Sequence, residues 1–272
     1  MAVSPSPTDD IRLEQREHVL VITLNRPDRL NAISGPMLNA LARTLQEANR
    51  DPEVRVVVLT GAGKGFCSGL DLKDTQAKME SGAGVGLTLE PRSLFSIDDS
   101  PITALWRMDK PVIAAVNGAA AGFGFDLALL ADIRILADTA KLAATMVKRN
   151  VVPESGGTWL LPRLIGWGKA AEIFFRGSTL TAEDSERLGL ANRVVPAADV
   201  LPTALAWARE IADNGPLAVQ TTKRMMRLGQ DETFESTVDH LLMHFRTLTQ
   251  MDDFKEALRA FAEKRPPRFT GR

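Results

Sequence analysis

Residues 113–128, IAAVNGAAAGFGFDLA, limit what this chain can fold into more than any other stretch. They read as a buried strand running through a turn of tiny residues into a helix that starts near Gly122. A helix start carries unpaired backbone N–H groups and a partial positive charge, so it can hold an anion or a developing oxyanion. The small side chains let a ligand approach that backbone closely.

With 272 residues, the chain suits one large domain, or one domain with a smaller appendage. Lys plus Arg number 33 against 34 for Asp plus Glu, and no basic block recurs, so the electrostatic footprint of a nucleic-acid binder is missing. Cys67 is the only cysteine, which excludes an internal disulfide framework and a multi-cysteine metal site and fits a reducing, cytoplasmic setting. No apolar run reaches the ~18 to 20 residues of a membrane span. Residues 1–10 lack the apolar region of a signal peptide and read as a short disordered leader.

Alternating residues predict paired strands over 11–16 and 19–25, with Glu17 and His18 as the turn. Ser34 as cap, Pro36 in the first turn and Met37, Leu38, Leu41 and Leu45 at helical spacing predict a helix to about Asn49. A buried strand over 54–60 leaves through a glycine-rich segment, 61–72. A loop over 74–90 and a helix from about Pro91 to Met108 lead into the stretch described first. Short strands over 132–137 and 141–143 complete a drifting strand, strand, helix repeat, which predicts a mixed α/β core. Helical runs follow near 157–163, 168–175 and 181–188, then a brief strand at 194–196. Further helices are expected near 199–213, 216–229, 231–249 and 251–262. The terminal helices carry apolar stripes too broad for a surface helix, as in Leu241, Leu242, Phe245 and Leu248, so they should cover either the core or another subunit.

Several motifs invite chemistry. Gly61, Gly63 and Gly65 suggest a nucleotide loop, but a dinucleotide fingerprint needs glycine where Phe66 stands, and a phosphate-binding loop needs Ser or Thr where Gly65 stands. Residues 65–69, GFCSG, match a nucleophile elbow with Cys67 at its centre and His240 or His244 as base, although no strand-helix alternation follows to supply a hydrolase sheet. A small packed cysteine is the plainer reading. His240 and His244 have a zinc-compatible spacing, yet Leu241 occupies the glutamate position of the metalloprotease motif, and no metal is predicted. Asp126 lies one turn into the central helix, where the dipole favours a carboxylate. Glu154 lies in a Pro-Glu-Ser-Gly-Gly turn before a helix, where Ser155 could cap.

Taken together and in order, these motifs resemble the crotonase family of enoyl-CoA hydratases and isomerases over roughly residues 11–272. Leu24-Asn25-Arg26-Pro27 followed by Leu30-Asn31-Ala32 resembles the segment that holds the adenine end of coenzyme A, implicating Arg29, Leu30 and Ala32. Residues 66–72, FCSGLDL, resemble the first oxyanion-hole segment, which assigns that N–H to Leu70; residues 117–128 resemble the second, which assigns the other to Phe123. The resemblance implies an α/β ClpP-like spiral over 11–197 with a helical trimerisation region over 198–272, acting as a homotrimer or a dimer of trimers. It also implies an acyl-CoA thioester substrate, with coenzyme A part of that substrate rather than a separate cofactor. Lys73 falls where the family places a cation near the CoA phosphates, and Phe261 and Lys264 fall on the terminal helix that reaches the CoA of a neighbouring subunit.

The departures shape the expected reaction. The hydratases of the family use two glutamates; here Asp126 stands at the first position and Met146 at the second. Glu154 matches the position where members that shift a 3-enoyl-CoA to a 2-enoyl-CoA keep a catalytic acid. One base suffices to carry a proton from C2 to C4, and Val151, Val152, Phe123 and Phe125 are expected to desolvate Glu154. The first expectation is therefore an isomerase with Glu154 as base. The second is a 2-enoyl-CoA hydratase using Asp126 with Glu154. A noncatalytic acyl-CoA-binding relative and a Cys67 hydrolase are the readings from other classes.

Overall fold

The structure is a computed structural model and describes residues 8–71, 76 and 100–272. Strands β1 (Ile11–Arg16) and β2 (Val19–Leu24) form an antiparallel hairpin that turns at Glu17, with Ile11 opposite Leu24 and Arg16 opposite Val19. Helix α1 (Gly35–Arg50) begins as its sequence predicts: Ser34 Oγ accepts the Met37 N–H at 3.3 Å, and Met37, Leu38, Leu41 and Leu45 are buried. Strands β3 (Val56–Gly61) and β4 (Gly65–Cys67) follow. Helix α2 (Pro101–Arg107) is shorter than the expected 91–108, because extended Ser100 caps it through the Thr103 N–H at 3.1 Å; residues 91–99 lie outside the described residues.

The central stretch gives β5 (Val112–Val116), β6 (Ala119–Ala121) and α3 (Phe123–Leu130). The expected turn of tiny residues is thus partly a strand, too short for its alternation to register. Next come β7 (Ile133–Ala137), β8 (Lys141–Ala143) and a 3-10 turn over Met146–Arg149. The second half adds α4 (Gly157–Ile165), α5 (Trp167–Arg176), β9 (Thr179–Thr181), α6 (Ala182–Arg187), β10 (Arg193–Val195), α7 (Val200–Ala212), α8 (Pro216–Leu228), α9 (Phe234–Leu248) and α10 (Asp252–Glu263). Strands β4, β6 and β9, each three residues long, have no strand counterpart in the periodicity.

Two sheets explain the drifting repeat. One has the order β1-β2-β3-β5-β7-β10 and is parallel from β2 onward; the other has the order β4-β6-β8-β9, with β9 antiparallel to β8. The pairs β3/β4, β5/β6 and β7/β8 each contribute their first strand to the larger sheet and their second to the smaller, so these repeats stack as a spiral. The central strands β3 and β5 of the larger sheet are buried on both faces, with Val56 to Leu59 and Val112 to Val116 fully inaccessible. Helix α7 covers β2, β3, β5 and β7. The ends of β4 and β6 lie beside the start of α3, which brings residues 66–71 to residues 121–126.

Candidate active site

Two asparagines fix the glycine-rich segment. Asn31, fully buried with φ 57, donates from Nδ2 to the carbonyls of Ala62 and Gly65 at 2.9 and 2.8 Å and accepts the Arg26 N–H at 2.9 Å. Asn117 accepts the Gly61 N–H at 3.1 Å and donates to Gly63 and Gly65 carbonyls at 3.0 and 3.2 Å. A glycine loop that would wander on its own is thereby held as rigid backbone. Segment 29–33 is zipped onto 68–71: Ser68 N–H donates to Leu30 O at 3.0 Å, Ile33 N–H to Gly69 O at 2.8 Å and Asp71 N–H to Ile33 O at 3.0 Å. Arg26 locks both, its Nη1 on Ala32 O at 2.6 Å and its Nη2 on the buried Asp71 carboxylate at 3.0 Å.

Leu70 and Phe123, the two expected oxyanion donors, come together at this junction. Gly69 has φ 101, and a Cβ there would stand 2.9 Å from Ala121 O and 3.5 Å from Phe123 N, so the two segments meet backbone to backbone. Gly122 caps α3 at φ 54, ψ −121, a conformation open essentially only to glycine, and its N–H is tied to Ala143 O at 3.1 Å. Among the described residues, neither the Leu70 nor the Phe123 N–H has a hydrogen-bond partner, although Phe123 is only 2 % exposed. Two neighbouring free donors at a helix start suit a developing negative charge.

The carboxylates divide in a way the sequence does not anticipate. Asp126 is fully buried; the Ser155 N–H donates to its Oδ2 at 3.3 Å, and Gly157 fits so closely that a Cβ would lie 2.2 Å from Oδ1. Burial first, and then the negative charge of Glu154, push Asp126 up to about 7, against the pull of the Ser155 and Gly157 N–H groups. Glu154 is exposed, as are Val151 and Val152 at 51 % and 68 %. The desolvation expected around Glu154 therefore falls on Asp126, because Val151, Val152 and Glu154 face outward while Asp126 packs against Gly157 at the start of α4. Ser155 does not cap α4; Gly156 with φ 93 does, and Ser155 Oγ is buried without a partner. Met146 is buried in the core.

Of the expected CoA contacts, Arg29 and Leu30 are exposed and Ala32 is buried, on the segment joined to Leu70. Lys73 and the loop over 74–90, Gln76 excepted, lie outside the described residues, as do residues 1–7 of the expected leader. Phe261 is 87 % exposed near the end of α10, and Lys264 ends that helix in a left-handed conformation with φ 56. Helix α9 buries no residue at all, so its apolar stripe does not cover the core of its own chain; Leu242, Met243 and Phe245 stand in the open.

The other motifs resolve plainly. Cys67 is fully buried, and burial pushes its thiol up to about 12, which removes it as a nucleophile at neutral pH. His240 pairs with Glu232 at 3.0 Å. Among the described residues no group of three or more His, Cys, Asp or Glu side chains is placed to hold a metal, and no helix is long and apolar enough to cross a membrane. The Arg26–Asp71 lock and the unpartnered Ser155 hydroxyl had no signal in the residue pattern.

Residues 14–272 match the enoyl-CoA hydratase/isomerase family. The chain is 36 % identical over 255 residues to 1,2-epoxyphenylacetyl-CoA isomerase of Escherichia coli, covering 93 % of this chain and 95 % of that protein. It is 36 % identical over 262 residues to (E)-benzylidenesuccinyl-CoA hydratase of Thauera aromatica, covering 96 % and 99 %. The crystal structure of enoyl-CoA hydratase from Bacillus anthracis superimposes with a TM-score of 0.88 at 34 % identity, over 97 % of this chain and all of that one.

Proposed function

The chain belongs to the enoyl-CoA hydratase/isomerase family and has the crotonase fold; from that premise we propose that it shifts the double bond of a 3-enoyl-CoA to give the 2-enoyl-CoA, with Glu154 as the base. The observation that carries this reading is the pair of unpartnered N–H groups, Leu70 and Phe123, near the mutually repelling carboxylates Asp126 and Glu154, with Met146 standing where the resemblance implies a second glutamate in the hydratases. The α-proton of a thioester is very weakly acidic, so the enolate forms at neutral pH only if its oxygen is stabilised where the charge appears. Losing one such donor typically raises the barrier by ~2.7 to 4 kcal/mol. Glu154 then takes the proton from C2 and returns it to C4, a task for one carboxylate.

The hydratase reading has its own support. Asp126, pushed up to about 7 next to charged Glu154, pairs an acid with a base. Water attacking C3 with Glu154 as base and Asp126 as proton donor is therefore the second reading. Arg29, Leu30, Ala32 and Lys73 would hold the CoA portion. The exposed apolar faces of α9 and α10 support a homotrimer or a dimer of trimers, with Phe261 and Lys264 reaching the CoA of the next copy.

Purified protein given 2-enoyl and 3-enoyl thioesters separately distinguishes the two. Isomerisation predicts conversion of the 3-enoyl substrate with no 3-hydroxyacyl product, whereas accumulation of that product selects hydration. Glu154→Gln should abolish the double-bond shift and keep acyl-CoA binding, and near-normal turnover would remove Glu154 as base.

A further inference from the structure

Segment 265–272 runs back along α10 and is tied to one side of it. Both carboxylate oxygens of Asp253 accept backbone N–H groups, from Thr270 at 2.7 Å and Gly271 at 2.8 Å, while the Asp253 N–H donates to Arg272 O at 2.9 Å. One turn on, Glu256 accepts the Arg268 N–H at 3.0 Å and the Arg265 guanidinium at 2.6 and 3.1 Å. Arg55, just before β3, holds the same segment from the core: its Nη2 donates to Phe269 O at 2.7 Å and its Nη1 to Ala212 O, at the end of α7, at 2.9 Å. Charge-assisted bonds of this kind are about twice as strong as neutral ones. Among the described residues no other helix or strand packs extensively on α10, and Ala260 is its one buried residue. How α10 is turned about its axis therefore depends on this clasp. The side left outward carries Phe254, Leu258 and Phe261 at i, i+4 and i+7, exposed by 39, 57 and 87 %.

We propose that Asp253 and Arg55 are positioning residues for acyl-CoA binding: the clasp they form on segment 265–272 fixes the rotation of α10 and so aims Phe261 and Lys264 at the nucleotide end of the thioester. A helix with few contacts of its own frays and turns unless its ends are tied, and here the ties lie at both ends. Asp253 holds the first turn, and past the last turn Lys264, with φ 56, sends the chain back so that the Arg265 N–H reaches Ala260 O at 3.1 Å. Neither Asp253 nor Arg55 is placed to touch the ligand; each acts through the direction in which α10 faces. The inference rests on the acyl-CoA reading of the site and on the contact assigned there to Phe261 and Lys264.

The test compares the full-length protein with Asp253→Ala and with Arg55→Met, which opens the clasp from the other side. Kd is measured for butyryl-CoA and for butyryl-pantetheine, which lacks the nucleotide, and amide hydrogen exchange is followed over 252–263 in the free proteins. Both variants should lose about tenfold in affinity for butyryl-CoA, keep that for butyryl-pantetheine, and exchange α10 faster. The retained pantetheine affinity shows that each variant is folded. Phe261→Ala should give the same selective loss, and combined with Asp253→Ala it should lose less than the two effects multiplied, because Asp253 acts through Phe261. Exchange over α10 that matches wild type in both variants, or an equal loss for the two thioesters, would overturn the positioning role. Failure of wild type to bind either thioester would instead overturn the acyl-CoA reading, with the exchange comparison still deciding whether the clasp sets α10.

Discussion

Replacing Gly69 with alanine is expected to cut turnover by about 10² to 10³ while leaving a folded protein. Gly69 has φ 101, and the added Cβ would lie 2.9 Å from Ala121 O, 3.5 Å from Phe123 N and 3.7 Å from Ala121 C. The first contact is several tenths of an ångström too short, and every atom it meets is backbone, which cannot swing away as a side chain would. The φ itself costs a non-glycine residue about 1–3 kcal/mol. Relief comes only by moving segment 68–71 away from 121–123, which spreads the Leu70 and Phe123 N–H groups. The loss therefore falls on the transition state, and KM should change far less than kcat. Gly189→Ala is the control: its φ of 77 carries similar strain but nothing lies within 4 Å of the added Cβ, so it should lower Tm with kcat intact. Steady-state kinetics of both variants on a 3-enoyl thioester decide the matter. Wild-type kcat in Gly69→Ala would refute the idea that this junction positions the donors.

Other perturbations probe the remaining supports. The carboxyl of Asp126 lies at about 7 in the folded chain against 3.8 for the free side chain. Its contribution to stability is therefore complete below about pH 4 and lost as pH rises through 7, by an amount on the order of 4 kcal/mol. Asp126→Asn should flatten that part of the stability profile, and denaturant titrations with the same slope for both proteins between pH 5 and 8 would contradict the assignment. Arg26→Met breaks the ion pair to buried Asp71 and should cost about 3 kcal/mol in chemical denaturation. It should also weaken acyl-CoA binding, because segments 29–33 and 68–71 lose their shared clamp; a change below about 0.5 kcal/mol would show the pair to be idle. Cys67→Ser is expected to leave turnover essentially unchanged, and its loss would reopen the thiol hydrolase reading.

How much of this was legible in the residues varies with the physical scale of the feature. Helix α1 could be read from its cap and apolar spacing because both are local. The three-residue strands β6 and β9 could not, since alternation needs a longer run and their pairing with distant strands decides them. Leu70 and Phe123 were reached through resemblance, and the unpaired state of their N–H groups depends on contacts between segments some fifty residues apart. The carboxylates show the limit most clearly. Val151, Val152, Phe123 and Phe125 point to a desolvated Glu154, but Val151 and Val152 turn outward, and of the two candidate carboxylates the buried one is Asp126, packed against Gly157 at the start of α4. Which side of a turn faces the core is a tertiary property that local composition does not encode.

The central claim is that one oxygen sits between Leu70 and Phe123 while the carboxylates face the adjacent carbon. A crystal structure of the protein with butyryl-CoA tests it most directly. The prediction is a thioester oxygen within about 2.7–3.1 Å of both the Leu70 and Phe123 nitrogens, with C2 turned toward Glu154. A thioester oxygen bonded to neither nitrogen, or C2 turned away from both Glu154 and Asp126, would contradict the account.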